Sequence, residues 1–222
     1  MSRTRIKICC IANPDEAATA VAAGADVLGL VSAMPSGPGP VDEAIIAAVA
    51  RVTPPGVATF MLTCLQDADA LIAHHRRCPT TALQLVDALP AEHYAKLRRA
   101  LPGIGLVQVI HVRDETSVDD AVAVAEHVDA VLLDSGNPTL AVKELGGTGR
   151  VHDWTISRRI VDAVNKPVYL AGGLTPANVA HAIDYVRPFG VDVCSGVRTN
   201  GRLDADKLHA FVAAVASAGR AA

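Results

Sequence analysis

Short apolar runs alternate with longer amphipathic segments eight times along the chain. The runs are Ile6–Cys10, Asp26–Val31, Val57–Thr63, Ala82–Val86, Gly105–Val112, Ala130–Asp134, Pro167–Ala171 and Val191–Ser195. Most are apolar at consecutive positions and rich in Val, Ile and Leu, the pattern of strands buried on both faces. The segments after them place apolar residues at helical spacing: Pro14–Ala23, Asp42–Val52, Gln66–His75, Ala91–Ala100, Ser117–His127, Trp154–Val164, Pro176–Tyr185 and Asp204–Ala218. Asn13-Pro14-Asp15-Glu16 supplies a cap, a proline for the first turn and early acids, and Thr175-Pro176 repeats the cap-then-proline arrangement.

Eight β-then-α units with short connections predict a parallel sheet covered by helices. A closed (β/α)₈ TIM barrel, one domain over residues 1–222, satisfies this best, and such barrels run to about 200–250 residues. A doubly wound open sheet would need a glycine-rich turn after its first strand, and Cys9-Cys10-Ile11-Ala12 supplies none. The stretch Pro35-Ser36-Gly37-Pro38-Gly39-Pro40 falls between the second strand and its helix, where it reads as a stiff loop at the barrel mouth.

Half of the residues are apolar but only 3% are aromatic, so Ala, Val and Leu must fill the core. A formal charge of -3 argues against a general nucleic-acid or acidic-membrane binder, and a phosphate must then be held by local features. The amino-terminal residues lack the apolar stretch of a signal peptide, and no run of about 18 apolar residues suggests a membrane span. Five cysteines, Cys9, Cys10, Cys64, Cys78 and Cys194, match no zinc spacing and fit reduced thiols in a cytoplasmic protein.

In a barrel of this kind the active site lies at the carboxyl ends of the strands. Gly172-Gly173 follows the seventh run and Ser195-Gly196 ends the eighth, where glycines let backbone N–H groups approach a phosphate closely. Cys9 and Asp134 end the first and sixth runs and make a candidate base and acid. Strand alternation puts Lys7 on the same face as Cys9, so its charge would favour the thiolate, and it turns Cys10 toward the helices. The competing reading makes Cys9 a small hydrophobe, Asp134 a cap or turn residue and the glycines plain turns.

Lys7-Ile8-Cys9, Leu132-Leu133-Asp134, Gly146-Gly147-Thr148-Gly149 with Asp153-Trp154, Ala171-Gly172-Gly173-Leu174 and Val193-Cys194-Ser195-Gly196-Val197 resemble, in order and spacing, the phosphoribosylanthranilate isomerases of tryptophan biosynthesis. The resemblance implies an Amadori rearrangement of N-(5-phosphoribosyl)anthranilate from aminoaldose to aminoketose. It implies that Cys9 is the general base taking the C2′ proton and Asp134 the general acid opening the furanose. It assigns substrate and phosphate binding to Lys7, Gly147, Gly172, Gly173, Asp192, Ser195 and Gly196. No metal or organic cofactor is implied, and the expected partner is a small phosphorylated sugar-amine bound by a monomer or homodimer.

The amino-terminal half departs from that family's pattern. Cys10 stands where the family has glycine. Ser36-Gly37-Pro38-Gly39 replaces a Ser-Pro-Arg whose arginine pairs with the substrate carboxylate, and Gln84-Leu85-Val86-Asp87 replaces Gln-Leu-His-Gly. Either another cation, Arg150, Arg198 or His111, takes the carboxylate, or the substrate is a different phosphoribosylated amine. A non-catalytic barrel that senses a sugar phosphate is the third reading, against which stand Cys9 and Asp134.

Overall fold

The computed structural model describes residues 3–137, 139–140, 143, 145 and 149–218. Each apolar run holds a strand: β1 (Arg5–Ile8), β2 (Val27–Val31), β3 (Ala58–Thr63), β4 (Ala82–Leu85), β5 (Gly105–His111), β6 (Ala130–Asp134), β7 (Val168–Leu170) and β8 (Gly190–Val193). Each is followed by a helix: α1 (Pro14–Ala22), α2 (Glu43–Val52), α3 (Ala68–Arg77), α4 (Ala91–Ala100), α5 (Thr116–Ala125), α6 (Trp154–Ala163), α7 (Val179–Val186) and α8 (Ala205–Ser217). The strands pair in chain order and all in parallel, and β1 closes onto β8 with Arg5 opposite Gly190 and Ile8 opposite Val193. The expected closed (β/α)₈ barrel is therefore the fold, and the open sheet is not.

Two apolar layers explain why the strands read as continuous runs. Ile6, Ile8, Leu28, Leu30, Leu83 and Leu133 belong to the layer shared with the helices. Residues at the alternate strand positions, among them Val27, Phe60, Val107, Leu132 and Tyr169, form a second cluster inside the barrel. Tyr169 supplies bulk that the chain otherwise lacks. Its ring meets Phe60 at 5.9 Å and Phe189 at 5.5 Å, both edge to face. Gly190 stands opposite Tyr169 in the ladder, and a Cβ there would lie 2.6 Å from the ring.

The structure departs from expectation in three places that matter to the site. β8 ends at Val193, because the backbone turns at Cys194 (φ -122, ψ -84) and Ser195–Val197 coils into a 3₁₀ turn. α7 starts at Val179 because Asn178 first closes a turn over Thr175 to Asn178. Its Oδ1 accepts from the Thr175 N–H at 2.8 Å and its Nδ2 donates to the Gly173 carbonyl at 3.0 Å. Cys10 does not face the helices. Alternation stops with β1 at Ile8, and a φ of 63 at Cys10 swings its side chain into the cluster inside the barrel.

Between α7 and α8 a short ribbon pairs β9 (Arg198–Thr199) with β10 (Arg202–Leu203). Glu16 at the start of α1 ties this ribbon to the barrel: its carboxylate accepts from the N–H groups of Leu203 at 3.0 Å and Ala12 at 3.1 Å. The missing side chain at Gly190 is a packing requirement of Tyr169. Gly190→Ala should cost about 1–3 kcal/mol of stability, read as a lower urea midpoint, and an unchanged midpoint would contradict this packing.

Candidate active site

The carboxyl ends of the strands surround a cleft whose lining includes Cys9, Gln84, Asp134, Gly173, Asp192 and Ser195. Beneath it Lys7 is fully buried and its Nζ donates to Asp192 Oδ2 at 2.8 Å, across the β1–β8 seam. Burying an ammonium disfavours its charge. Here the Asp192 carboxylate and the Cys9 sulfur more than offset that, and Lys7 is held above its ordinary pKa as a fixed cation.

Cys9 sits two residues on and is also buried. A hydrogen bond from the Cys10 thiol is the largest influence on it, and with the Lys7 charge it outweighs burial and Asp192, so the Cys9 thiol lies below its ordinary pKa. The room for this pairing comes from β2. A Cβ on Gly29 would lie 2.8 Å from the Cys9 sulfur and 2.9 Å from Lys7 Nζ. Sequence reading passed over Gly29, whose signal is a glycine inside an apolar strand.

Asp134 closes β6 and is half-buried at the cleft wall, opposite His111 in the ladder. Its Oδ1 accepts from the Ser135 N–H at 2.7 Å, which fixes the carboxyl's orientation. His111 is turned elsewhere, its Nε2 at 2.9 Å from the Val86 carbonyl.

The turns after β7 and β8 interlock. Gly172 (φ 81) and Gly173 (φ 63) adopt the left-handed backbone that side chains disfavour, and a Cβ on Gly173 would meet Arg150 and Val151 backbone atoms at 2.8 Å. A Cβ on Gly196 would fall 2.0 Å from the Leu174 carbonyl oxygen. The two turns thus press together beside Ser195, the placement expected for a phosphate cradle. Gly147, also expected there, lies outside the described residues. Gly149 from the same motif does reach the cleft, 3.7 Å from Ser195 Oγ when measured from its ideal Cβ.

Two buried acceptors face the cleft without a hydrogen-bond partner among the described residues, Gln84 Oε1 and Asp192 Oδ1. Buried polar atoms are normally paired, so an unpaired acceptor in a cleft suits a donor on a ligand. Gln84 was read only as part of a divergent motif, although one polar residue within an apolar run marks it. His152 was also missed. Its Nε2 bonds Ser157 Oγ at 2.7 Å, and burial lowers its pKa, so the ring is held neutral beside Gly172.

Of the cations considered for the substrate carboxylate, Arg198 is committed elsewhere. It pairs with Glu16 at 2.8 Å and donates to the Cys10 carbonyl. Arg150 is exposed, its carbonyl packed over Gly172. Lys143 is not among the lining residues but lies next to the cleft, in contact with the loops after β2 and β4. Its ammonium is ion-paired with Asp87, and its carbonyl accepts from Ser36 Oγ at 2.6 Å.

The charge of Lys7 should be legible in the reactivity of Cys9. Lys7→Met removes the cation, so the pH profile of Cys9 alkylation by iodoacetamide, mapped by mass spectrometry, should move to higher pH. An unmoved profile would show that Lys7 does not act on the sulfur.

The model of the family described as N-(5'phosphoribosyl)anthranilate (PRA) isomerase matches residues 6–214. N-(5'-phosphoribosyl)anthranilate isomerase of Halobacterium salinarum is 39% identical over 212 residues, covering 95% of this chain and 94% of that protein. The protein of the same name from Methanocella arvoryzae is 35% identical over 199 residues, 90% and 91% of the two chains. Among solved structures, phosphoribosyl anthranilate isomerase from Thermotoga maritima superposes with a TM-score of 0.82 at 29% identity, covering 96% and 99% of the chains. A phosphoribosyl anthranilate isomerase in complex with reduced 1-(o-carboxyphenylamino)-1-deoxyribulose 5-phosphate superposes with a TM-score of 0.80 at 27% identity over the same shares. With the barrel, the thiol just after β1 and the carboxyl of β6 in place, the chain belongs to the N-(5'-phosphoribosyl)anthranilate isomerase family.

Proposed function

We infer that this protein is an isomerase of tryptophan biosynthesis that converts N-(5'-phosphoribosyl)anthranilate into its 1-deoxyribulose 5-phosphate isomer. The observation that carries this reading is the meeting of a thiol favoured as thiolate, Cys9, and a half-buried carboxyl, Asp134, at one cleft that also holds the Gly173 and Ser195 turns.

The phosphate sits against the backbone of Gly172, Gly173, Ser195 and Gly196, which orients the sugar between β1 and β6. Asp134 protonates the ring oxygen, the C1′–O bond breaks, and the nitrogen lone pair forms the iminium. Cys9 then removes the C2′ proton, and the C–H electrons become the C1′=C2′ bond of an enolamine. Tautomerisation places the carbonyl at C2′ and the hydrogens at C1′, so one carbon is oxidised as its neighbour is reduced. Every proton comes from the substrate or these two residues, and the chemistry needs no cofactor. Cys10 and Lys7 favour the Cys9 thiolate, and the unpaired acceptors of Asp192 and Gln84 suit the sugar hydroxyls.

The anthranilate ring suits the apolar end of the cleft, lined by Met34, Leu62, Val86 and Leu145. Its carboxylate needs a cation there, and Lys143 is the residue this reading assigns, exchanging Asp87 for the substrate. A lysine in this role is a point charge without the two-pronged geometry of arginine.

Turnover of freshly made phosphoribosylanthranilate, followed by loss of anthranilate fluorescence, tests the whole reading. Cys9→Ala and Asp134→Asn should each lower kcat by about 10²–10⁴-fold, and undiminished turnover in either would remove that residue's role. Lys143→Met should raise KM about 10-fold or more with kcat little changed. An unchanged KM would exclude Lys143 as the carboxylate's partner.

A further inference from the structure

The rearrangement uses neither Cys10 nor Cys194 as its acid or base, yet both line the cleft beside Cys9. β1 and β8 bring them together. Ile8 stands opposite Val193, and the Cys9 N–H donates to the Val193 carbonyl at 2.8 Å, so Cys9 and Cys194 continue neighbouring strands. Cys10, swung inward by its φ of 63, lies with Cys9 in the cluster inside the barrel, and Cys194 packs against that same cluster.

The loop after β2 is shaped to this sulfur. A Cβ on Gly39 would lie 2.6 Å from Cys10 Cβ and 2.9 Å from its sulfur, and the thiol also approaches the Pro38 carbonyl at 3.7 Å. The guanidinium of Arg198 donates to the Cys10 carbonyl, and its charge acts on the sulfurs of Cys10 and Cys194. Cys10 itself is held well above the ordinary thiol pKa by its neighbours Cys194 and Cys9 and by burial, so it is the resolving thiol and Cys194 is the sulfur that meets the oxidant. Cys194 is half-buried and borders the cleft, so a small solute that enters the cleft reaches the sulfurs.

We propose that Cys10 and Cys194 form a reversible dithiol–disulfide site that a peroxide oxidises, and that the disulfide silences the cleft. One thiolate attacks hydrogen peroxide; an S–O bond forms, the O–O bond breaks, and hydroxide leaves to take up a proton as water. The second sulfur then attacks the sulfenic acid; the S–S bond forms, the S–O bond breaks, and the departing oxygen leaves as water with the thiol's proton. Two thiols are oxidised and one peroxide is reduced to two waters. The Cys9–Cys10 pair is the poorer alternative, because adjacent Cα atoms are about 3.8 Å apart and disulfides span about 4.4–6.8 Å. The bond would tie the end of β1 to the residue before Ser195-Gly196 and withdraw the Cys10 hydrogen bond from Cys9. Only this effect on turnover rests on the isomerase reading; the oxidation itself does not.

The test treats the intact protein with hydrogen peroxide, blocks remaining thiols with N-ethylmaleimide, and digests it without reduction. Tandem mass spectrometry that cleaves between Cys9 and Cys10 then assigns the link. The expected result is a Cys10–Cys194 cross-link that dithiothreitol removes, with turnover falling about tenfold or more and returning on reduction. Cys10→Gly should abolish the link and the reducible part of the inactivation. Cys10 and Cys194 both carrying maleimide after oxidation, or Cys194 joined to Cys9 instead, would overturn the proposal. Because the peptide readout needs no substrate, it decides the site even if phosphoribosylanthranilate is not turned over.

Discussion

A fully buried lysine at the centre of the barrel is the constraint on which the site depends. An isolated ammonium in such a place would lose its proton or destabilise the fold. It remains charged because Asp192, 185 residues later in the chain, sits 2.8 Å away across the β1–β8 seam. That pair exists only when the barrel closes, so barrel closure and the electrostatics of Cys9 are one event. Gly29 on the other flank leaves the space into which the ammonium and the sulfur fit.

The opposite side of the cleft is governed by close backbone approach rather than by charge. Gly172 and Gly173 take up left-handed conformations, and Gly196 comes so near Leu174 that any side chain would collide. The turns after β7 and β8 therefore hold one another in place. A sugar phosphate anchored there sets its carbons at a fixed distance from the residues ending β1 and β6. Anchoring the non-reacting end of a substrate is how binding energy is converted into orientation at the reacting atoms.

Where the chain leaves its family's pattern, the changes hang together physically. A cysteine occupies a left-handed position that glycine would fill without strain, and its sulfur needs the space that Gly39 leaves open. The same loop carries no arginine, and the ion pair of Lys143 with Asp87 lies beside it. The Gly172-Gly173 and Ser195-Gly196 turns, and Asp134 at the end of β6, keep the family's residues. At the loop that lacks the arginine, the cation present is a lysine, a point charge rather than a fork.

The eight strands and helices were legible because a parallel barrel buries both faces of every strand, and an apolar run bounded by turns records that burial locally. The cap at Asn13, which accepts from the Glu16 N–H at 2.9 Å, was legible for the same reason. Cys9, Asp134 and the paired glycines stood out because strand ends are countable. What the sequence by itself determined is thus the order of elements and the residues at their ends. Only the tertiary structure decided which atoms meet. Lys7 finds Asp192, Cys10 turns inward against Gly39, Arg198 is drawn off by Glu16, and Gln84 is left facing the cleft unpaired. The reason is that hydrophobic periodicity reports which side of an element is buried, whereas pairing across a closed barrel depends on register, a single left-handed φ, and contacts between residues far apart in the chain.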